Sequence, residues 1–148
     1  MSYYPVFLDL RGRSVLVAGA GKVALRKVKG LLEAGANVTV VSPRCEEGFA
    51  GLNVTLRKRR FRPSDVVDGM ALVFAATDDR KVNQAVALAA ARKRIPANVA
   101  DAPGECDFLV PARLRHGGVQ IAISTGGASP RLAKGLREKL EKSLNEGF

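Results

Sequence analysis

Tryptophan is absent from this 148-residue sequence; histidine occurs once, tyrosine twice and cysteine twice. So few aromatic residues exclude the stacking platforms that hold single-stranded nucleic acid. Cys45 and Cys106 are too few for a disulfide framework and stand at no metal-ligand spacing, so no metal site is expected. Reduced thiols place the chain in the cytoplasm. No apolar run approaches the length of a bilayer span, and no membrane partner is expected. The opening MSYYPVFLDLRG lacks the basic start and long apolar stretch of a secretory signal. Acidic residues are also scarce: 14 Asp and Glu face 24 Lys and Arg, a formal charge of +10. Such a surface attracts polyanions, either nucleic acid or a small molecule with many carboxylates. The densest basic run is Arg57-Lys58-Arg59-Arg60, with Arg62 beyond it. A solvated edge strand and loop account for that run. A nucleic-acid binder built on it would rest on phosphate contacts alone, with no recognition motif, so nucleic acid is not an expected partner.

What the sequence does contain is glycine at one informative place. Val15–Ala18 is a short apolar run, read as a buried strand. Gly19, Gly21 and Ala24 follow at G-x-G-x-x-A spacing, and a helical pattern then runs through Ala34 to a stop at Gly35. The first glycine permits a tight turn, the second leaves room for a pyrophosphate, and the small Ala24 lets helix and strand pack closely. The helix start offers free N–H groups and a positive dipole end to phosphates. Without a ligand, the same residues would be a packed strand-to-helix turn.

The remaining chain alternates strands and helices. Strands are expected at Asn37–Val41, Val54–Lys58, Ala71–Ala76 and Ala97–Ala100, with Ala71–Ala76 the most apolar and therefore central. Short helical pieces are read at Cys45–Ala50 and Ser64–Asp68, with Ser64 as a cap. A long helix follows Asp78 or Asp79 and runs to about Lys93. Asp107–Val110 and Val119–Ser124 are read as two further strands, with the turn at Arg115–Gly118. Ser129 and Pro130 start a last helix, Arg131–Leu144. The predicted fold is α/β: a Rossmann-like doubly wound parallel sheet, order 3-2-1-4-5, over residues 1–112. A hairpin-and-helix extension over 113–148 follows it. Too few residues separate the last two strands for a parallel crossover. Their uncovered edges, with the N-terminal segment, predict a homodimer.

In such a sheet ligands bind beyond the carboxyl ends of the strands. The loops there are 19–22, 42–44, 77–79 and 98–102. The nucleotide rule expects an acid after strand two, where this chain has Ser42, Pro43 and Arg44. Ser42 can bond a ribose hydroxyl; Arg44 can stack on adenine or take a 2′-phosphate. The residues alone leave NAD and NADP open. Asp101 follows strand five directly and is the candidate proton acceptor. Its Asp-Ala-Pro-Gly context is equally a turn sequence. Asp78 reads as a cap or ribose contact, and Cys106 as a small core residue. Thr125–Ser129, TGGAS, offers backbone N–H groups to a substrate carboxylate, or is an ordinary cap.

Taken together, the runs AGAGKVALRK, VTVVSP, AATDDRKVNQAV, NVADAPGECDFLVPA and AISTGGASPRLAKGLREKL resemble the precorrin-2 dehydrogenase family, the NAD-dependent domain of siroheme synthases. The resemblance runs from Pro5 to about Leu144. It implies NAD-dependent oxidation of precorrin-2 to sirohydrochlorin, with Asp101 as the catalytic aspartate. It assigns the dinucleotide to Gly19, Gly21, Lys22, Val23, Ser42, Pro43 and Arg44, with Thr77 and Asp78 beside them. Substrate contacts are assigned to Asn98, Thr125, Gly126 and Gly127. The family also lacks an acid after strand two, so NAD becomes the expected cofactor. A polycarboxylate tetrapyrrole then explains the +10 charge. Some members also insert a metal, which the resemblance leaves open here. A non-catalytic NAD-sensing module is the competing reading; it would need Gly19 and Gly21 but not Asp101.

Overall fold

The computed structural model describes residues 3–147. They divide into two compact units, residues 7–108 and residues 3–6 with 109–147. The sequence reading set the division after Ala112; the compact units part after Phe108.

The first unit is a five-stranded parallel sheet. Its strands are β1 Ser14–Ala18, β2 Asn37–Val41, β3 Thr55–Arg57, β4 Leu72–Ala75 and β5 Ala97–Val99. The order is β3-β2-β1-β4-β5, as the alternation of elements predicts. Helices α1 Lys22–Glu33 and α2 Arg80–Arg92 are the long crossovers. They cover opposite faces, because strand side chains alternate. Val15 and Val17 of β1 pack with Ala24, Val28 and Leu31 of α1. Leu16 and Ala18 pack with Val86, Ala89 and Ala90 of α2. Val15, Leu16, Val17 and Ala18 are all fully buried, as a central parallel strand requires. Each large side chain so buried contributes about 1.5–3 kcal/mol of transfer free energy. No helix among the described residues is long and apolar enough to cross a membrane.

The basic run after β3 is not simply solvated. Asp65 is 2% exposed. Its carboxylate accepts from Arg57 Nη1 at 3.0 Å, from Arg59 Nη1 at 2.9 Å and Nη2 at 2.6 Å, and from the Arg62 N–H at 2.8 Å. The Arg59 guanidinium is the main cause that holds this carboxyl at about 2, below the ordinary 3.8. The pairs tie the chain after β3 to the one-turn 3-10 helix Pro63–Asp65. Arg62, not Ser64, occupies the cap position there, since Ser64 lies inside the turn.

The second unit contains a hairpin, β6 Ala112–His116 with β7 Val119–Ile123, and helix α3 Pro130–Glu146. The predicted strand at Asp107–Val110 does not form. Asp107 instead donates its N–H to the Ala97 carbonyl at 2.9 Å and accepts the Ala97 N–H on Oδ2 at 2.8 Å. The Phe108 carbonyl accepts from Asn98 at 3.0 Å, and Pro111 has no N–H for a ladder. The hairpin strand therefore starts at Ala112, and its turn narrows to Gly117 and Gly118. Ser129 caps α3, accepting the Leu132 N–H at 3.2 Å, as predicted.

Candidate functional site

Four strand ends of the first unit lie level at one edge. Ala18 pairs with Val41 and with Ala75, and Ala75 with Val99. Backbone bonds carry the alignment into the loops. The Gly19 N–H reaches the Val41 carbonyl at 2.9 Å, Ala76 reaches Ala18 at 2.8 Å, and Ala100 reaches Ala75 at 2.9 Å. The loops that begin at Gly19, Ser42, Ala76 and Ala100 therefore share this edge.

The two motif glycines do different work. Gly19 has φ +110, and a Cβ there would overlap the Ala76 carbonyl. It is required by the fold. Gly21 has φ −86, which any residue adopts, and a Cβ there would meet nothing within 4 Å. Packing therefore does not account for Gly21, and the space beside it is open to a ligand. Gly21 is also the N-cap of α1 and gives it no side-chain bond, whereas Asp79 caps α2 and Ser129 caps α3. Among the described residues no side chain caps the first N–H groups of α1, at Lys22 and Val23, a helix start suited to an anion. These residues fit a dinucleotide pyrophosphate.

At the end of β2, Ser42 is 8% exposed and its hydroxyl donates to the Arg44 carbonyl at 2.6 Å. That bond closes the Ser42-Pro43-Arg44 turn and leaves the Ser42 oxygen lone pairs as acceptors. At the end of β4, Asn83, within the run AATDDRKVNQAV, is bonded back to Thr77. It is fully buried, and its Oδ1 accepts from the Thr77 N–H at 3.0 Å and hydroxyl at 2.7 Å, while its Nδ2 donates to the Thr77 carbonyl at 3.1 Å. Thr77 is thereby pinned at the edge. Asp79 accepts from the Lys81 N–H at 2.9 Å, so it is the cap, and Asp78 is left exposed.

Asp101 stands two residues beyond β5, with its side chain 39% exposed. Its Oδ1 accepts from Arg80 Nη1 at 3.1 Å, and the same guanidinium binds Glu105 through Nη2. Glu105 first, then Asp101, raises the Arg80 pKa, so its charge is secure. Below this loop, Cys106 Sγ accepts the Val99 N–H at 3.1 Å. Cys106 is a half-buried structural thiol, in line with its expected small-core role.

Asn98 is buried in β5. It is 6% exposed, with Oδ1 accepting from Lys27 Nζ at 3.1 Å and Nδ2 donating to Phe108. Both amide ends are bonded within the protein. Lys27 also lies 5.4 Å from the Phe74 ring centroid, and burial, then Arg26, pushes its pKa down. Thr125, Gly126 and Gly127 belong to the second unit. There the Thr125 hydroxyl accepts the Ser129 N–H at 2.9 Å, and both glycines have positive φ. Sequence reasoning missed Arg80, Asn83 and Lys27. Asn83 could have been found from its place one turn inside a helix that follows a polar loop.

The level strand ends, the empty space at Gly21 and the uncapped α1 define a Rossmann-like dinucleotide-binding protein. The comparisons agree. Residues 6–112 match a family model described as putative NAD(P)-binding, and residues 116–143 one described as sirohaem biosynthesis protein central. A siroheme synthase of Methylococcus capsulatus is 46% identical over 152 positions, covering 100% of this chain and 32% of the relative. A siroheme synthase 2 of Klebsiella pneumoniae is 44% identical, over 97% of this chain and 32% of its own length. The chain thus spans about a third of the curated relatives it matches. A solved structure titled SirC, precorrin-2 dehydrogenase, aligns with TM-score 0.79 and 34% identity over 95% of this chain and 70% of that one. The chain belongs to the precorrin-2 dehydrogenase family.

Proposed function

We propose that this chain oxidises precorrin-2 to sirohydrochlorin with NAD, in siroheme biosynthesis in the cytoplasm. The observation that carries this reading is one sheet edge holding both halves of a dehydrogenation: a dinucleotide cradle at Gly21 and a carboxylate at Asp101. The matched family models and the SirC likeness support the substrate class.

Dehydrogenation removes a hydride and a proton from neighbouring atoms of the macrocycle and leaves a new double bond. NAD held at these residues would supply the hydride acceptor. The chain's own residues do the rest. The free N–H groups at the start of α1 hold the pyrophosphate. Ser42 accepts from a ribose hydroxyl, with Arg44 beside it and Asp78 on the β4 side. Asp101, as a carboxylate, takes the proton on an oxygen. The +10 charge draws in a substrate rich in carboxylates, and nucleic acid is not assigned.

Ser42 with an unphosphorylated ribose supports NAD over NADP; tighter binding of NADP that is lost in Arg44→Ala would reverse that choice. A homodimer accounts for the apolar groups left exposed in the second unit, where Leu132 is 54%, Leu136 41% and Val119 55% exposed. A monomer in sedimentation at micromolar concentration would refute it. The main test is anaerobic incubation with precorrin-2 and NAD, following NADH absorbance. NADH production is expected. NAD binding without turnover would transfer the protein to the sensing class.

A further inference from the structure

We propose that Arg80 is a positioning residue for Asp101, the clamp that holds the 100–106 loop with its carboxylate at the sheet edge. The inference rests on the dehydrogenase reading above. Arg80 is the first residue of α2, immediately after the Asp79 cap. The N-terminus of that helix is fixed twice, by the cap and by the Asn83 bonds to Thr77. A guanidinium rooted there starts from a rigid base.

Its two arms reach two carboxylates of one loop. Nη1 binds Asp101 at 3.1 Å and Nη2 binds Glu105. Glu105 thus orients the guanidinium, and the guanidinium orients Asp101. Underneath, the loop is fastened by different chemistry. The Val99 N–H bonds Cys106 Sγ, the Glu105 N–H bonds the Ala102 carbonyl at 2.9 Å, and Asp107 is bonded to Ala97. The inner side is therefore set by the backbone and the thiol. On the outer side, Arg80 makes ion pairs to two carboxylates of the loop.

The pairs are too exposed to matter much for stability: the Arg80 side chain is 43% and Asp101 39% exposed. A base must nonetheless sit within hydrogen-bond reach of the proton it takes, and small misplacements cost turnover. A clamp with little effect on the melt and a clear effect on kcat is what this arrangement predicts.

The test compares parent, Arg80→Met, Arg80→Lys and Glu105→Gln, with Arg80→Met also in an Asp101→Asn background. Four measurements are made: anaerobic kcat and KM, NAD affinity by calorimetry, thermal midpoint, and hydrogen exchange of the 100–106 amides without ligand. Arg80→Met should lower kcat about tenfold with NAD affinity within about twofold. Exchange in the loop should quicken while the core amides keep their protection. Arg80→Lys should recover part of the loss, since an ammonium can hold one carboxylate but not the two-armed geometry. Glu105→Gln should cost about threefold. In the Asp101→Asn background Arg80→Met should cost nothing further. An inactive parent would overturn this inference together with the dehydrogenase reading. An active parent with undiminished Arg80→Met turnover, or equal losses with and without Asp101, would overturn the inference and leave that reading standing.

Discussion

Substituting the two motif glycines separately distinguishes a glycine the fold needs from one the ligand needs. At Gly19 the backbone has φ +110 and a Cβ would overlap the Ala76 carbonyl. That carbonyl belongs to the residue whose N–H bonds Ala18 in the central sheet, so it cannot yield cheaply. Left-handed strain and the overlap together should cost Gly19→Ala about 2–4 kcal/mol. For a chain of this size the melting midpoint should fall by roughly 4–16 °C. At Gly21 φ is −86 and an added Cβ enters open space. Gly21→Val loses only the modest preference for glycine at an N-cap, about 1 kcal/mol or less. Its branched side chain, however, takes the volume a pyrophosphate needs, and NAD affinity should fall at least about 100-fold, or roughly 2.7 kcal/mol. Calorimetric titration with NADH and thermal denaturation by circular dichroism measure the two effects side by side. The reasoning fails if Gly21→Val binds NADH within threefold of the parent. It fails equally if Gly19→Ala melts where the parent does.

Three other outcomes follow from the structure. Asp101→Asn keeps the side-chain shape without the base, so turnover should fall roughly 10²–10⁴-fold with NAD affinity nearly unchanged; a variant as fast as the parent would make Asp101 a turn residue. Asn83→Ala strips partners from three polar groups of Thr77, and urea denaturation should show a loss of about 2–4 kcal/mol, against no loss if water replaces the amide fully. Asp65 has a folded pKa of about 2 against an ordinary 3.8, so its contribution is complete above the ordinary value and disappears as pH falls through the folded one. That contribution is about 2 kcal/mol. Parent stability should decline more steeply than that of Asp65→Asn between about pH 4 and about pH 2, and parallel curves would disprove a stabilising role for the Asp65 pairs with Arg57 and Arg59.

Strand alternation, helix caps and the G-x-G-x-x-A spacing are local signals, so the order β3-β2-β1-β4-β5, Ser129 as a cap and the helix start at Gly21 were all legible in the sequence. Each depends on residues a few positions apart and on backbone preferences that every sequence obeys. Asp101 was legible as a carboxylate following a strand, by the same reasoning. Its partner was not. Arg80 lies 21 positions away and Lys27 lies 71 from Asn98, and a charged side chain carries no mark of which opposite charge it will meet. The strand expected at Asp107–Val110 failed for a related reason. Its apolar letters suit a hairpin, but Asp107 and Phe108 are bound to Ala97 and Asn98 of β5 instead. The basic run likewise looked solvated until folding brought Asp65 beneath Arg57 and Arg59. Periodicity and turn chemistry choose elements and their order. Which polar groups satisfy one another is decided only when the sheet stacks its loops at one edge, because burial makes an unpaired polar group costly wherever in the chain its partner lies.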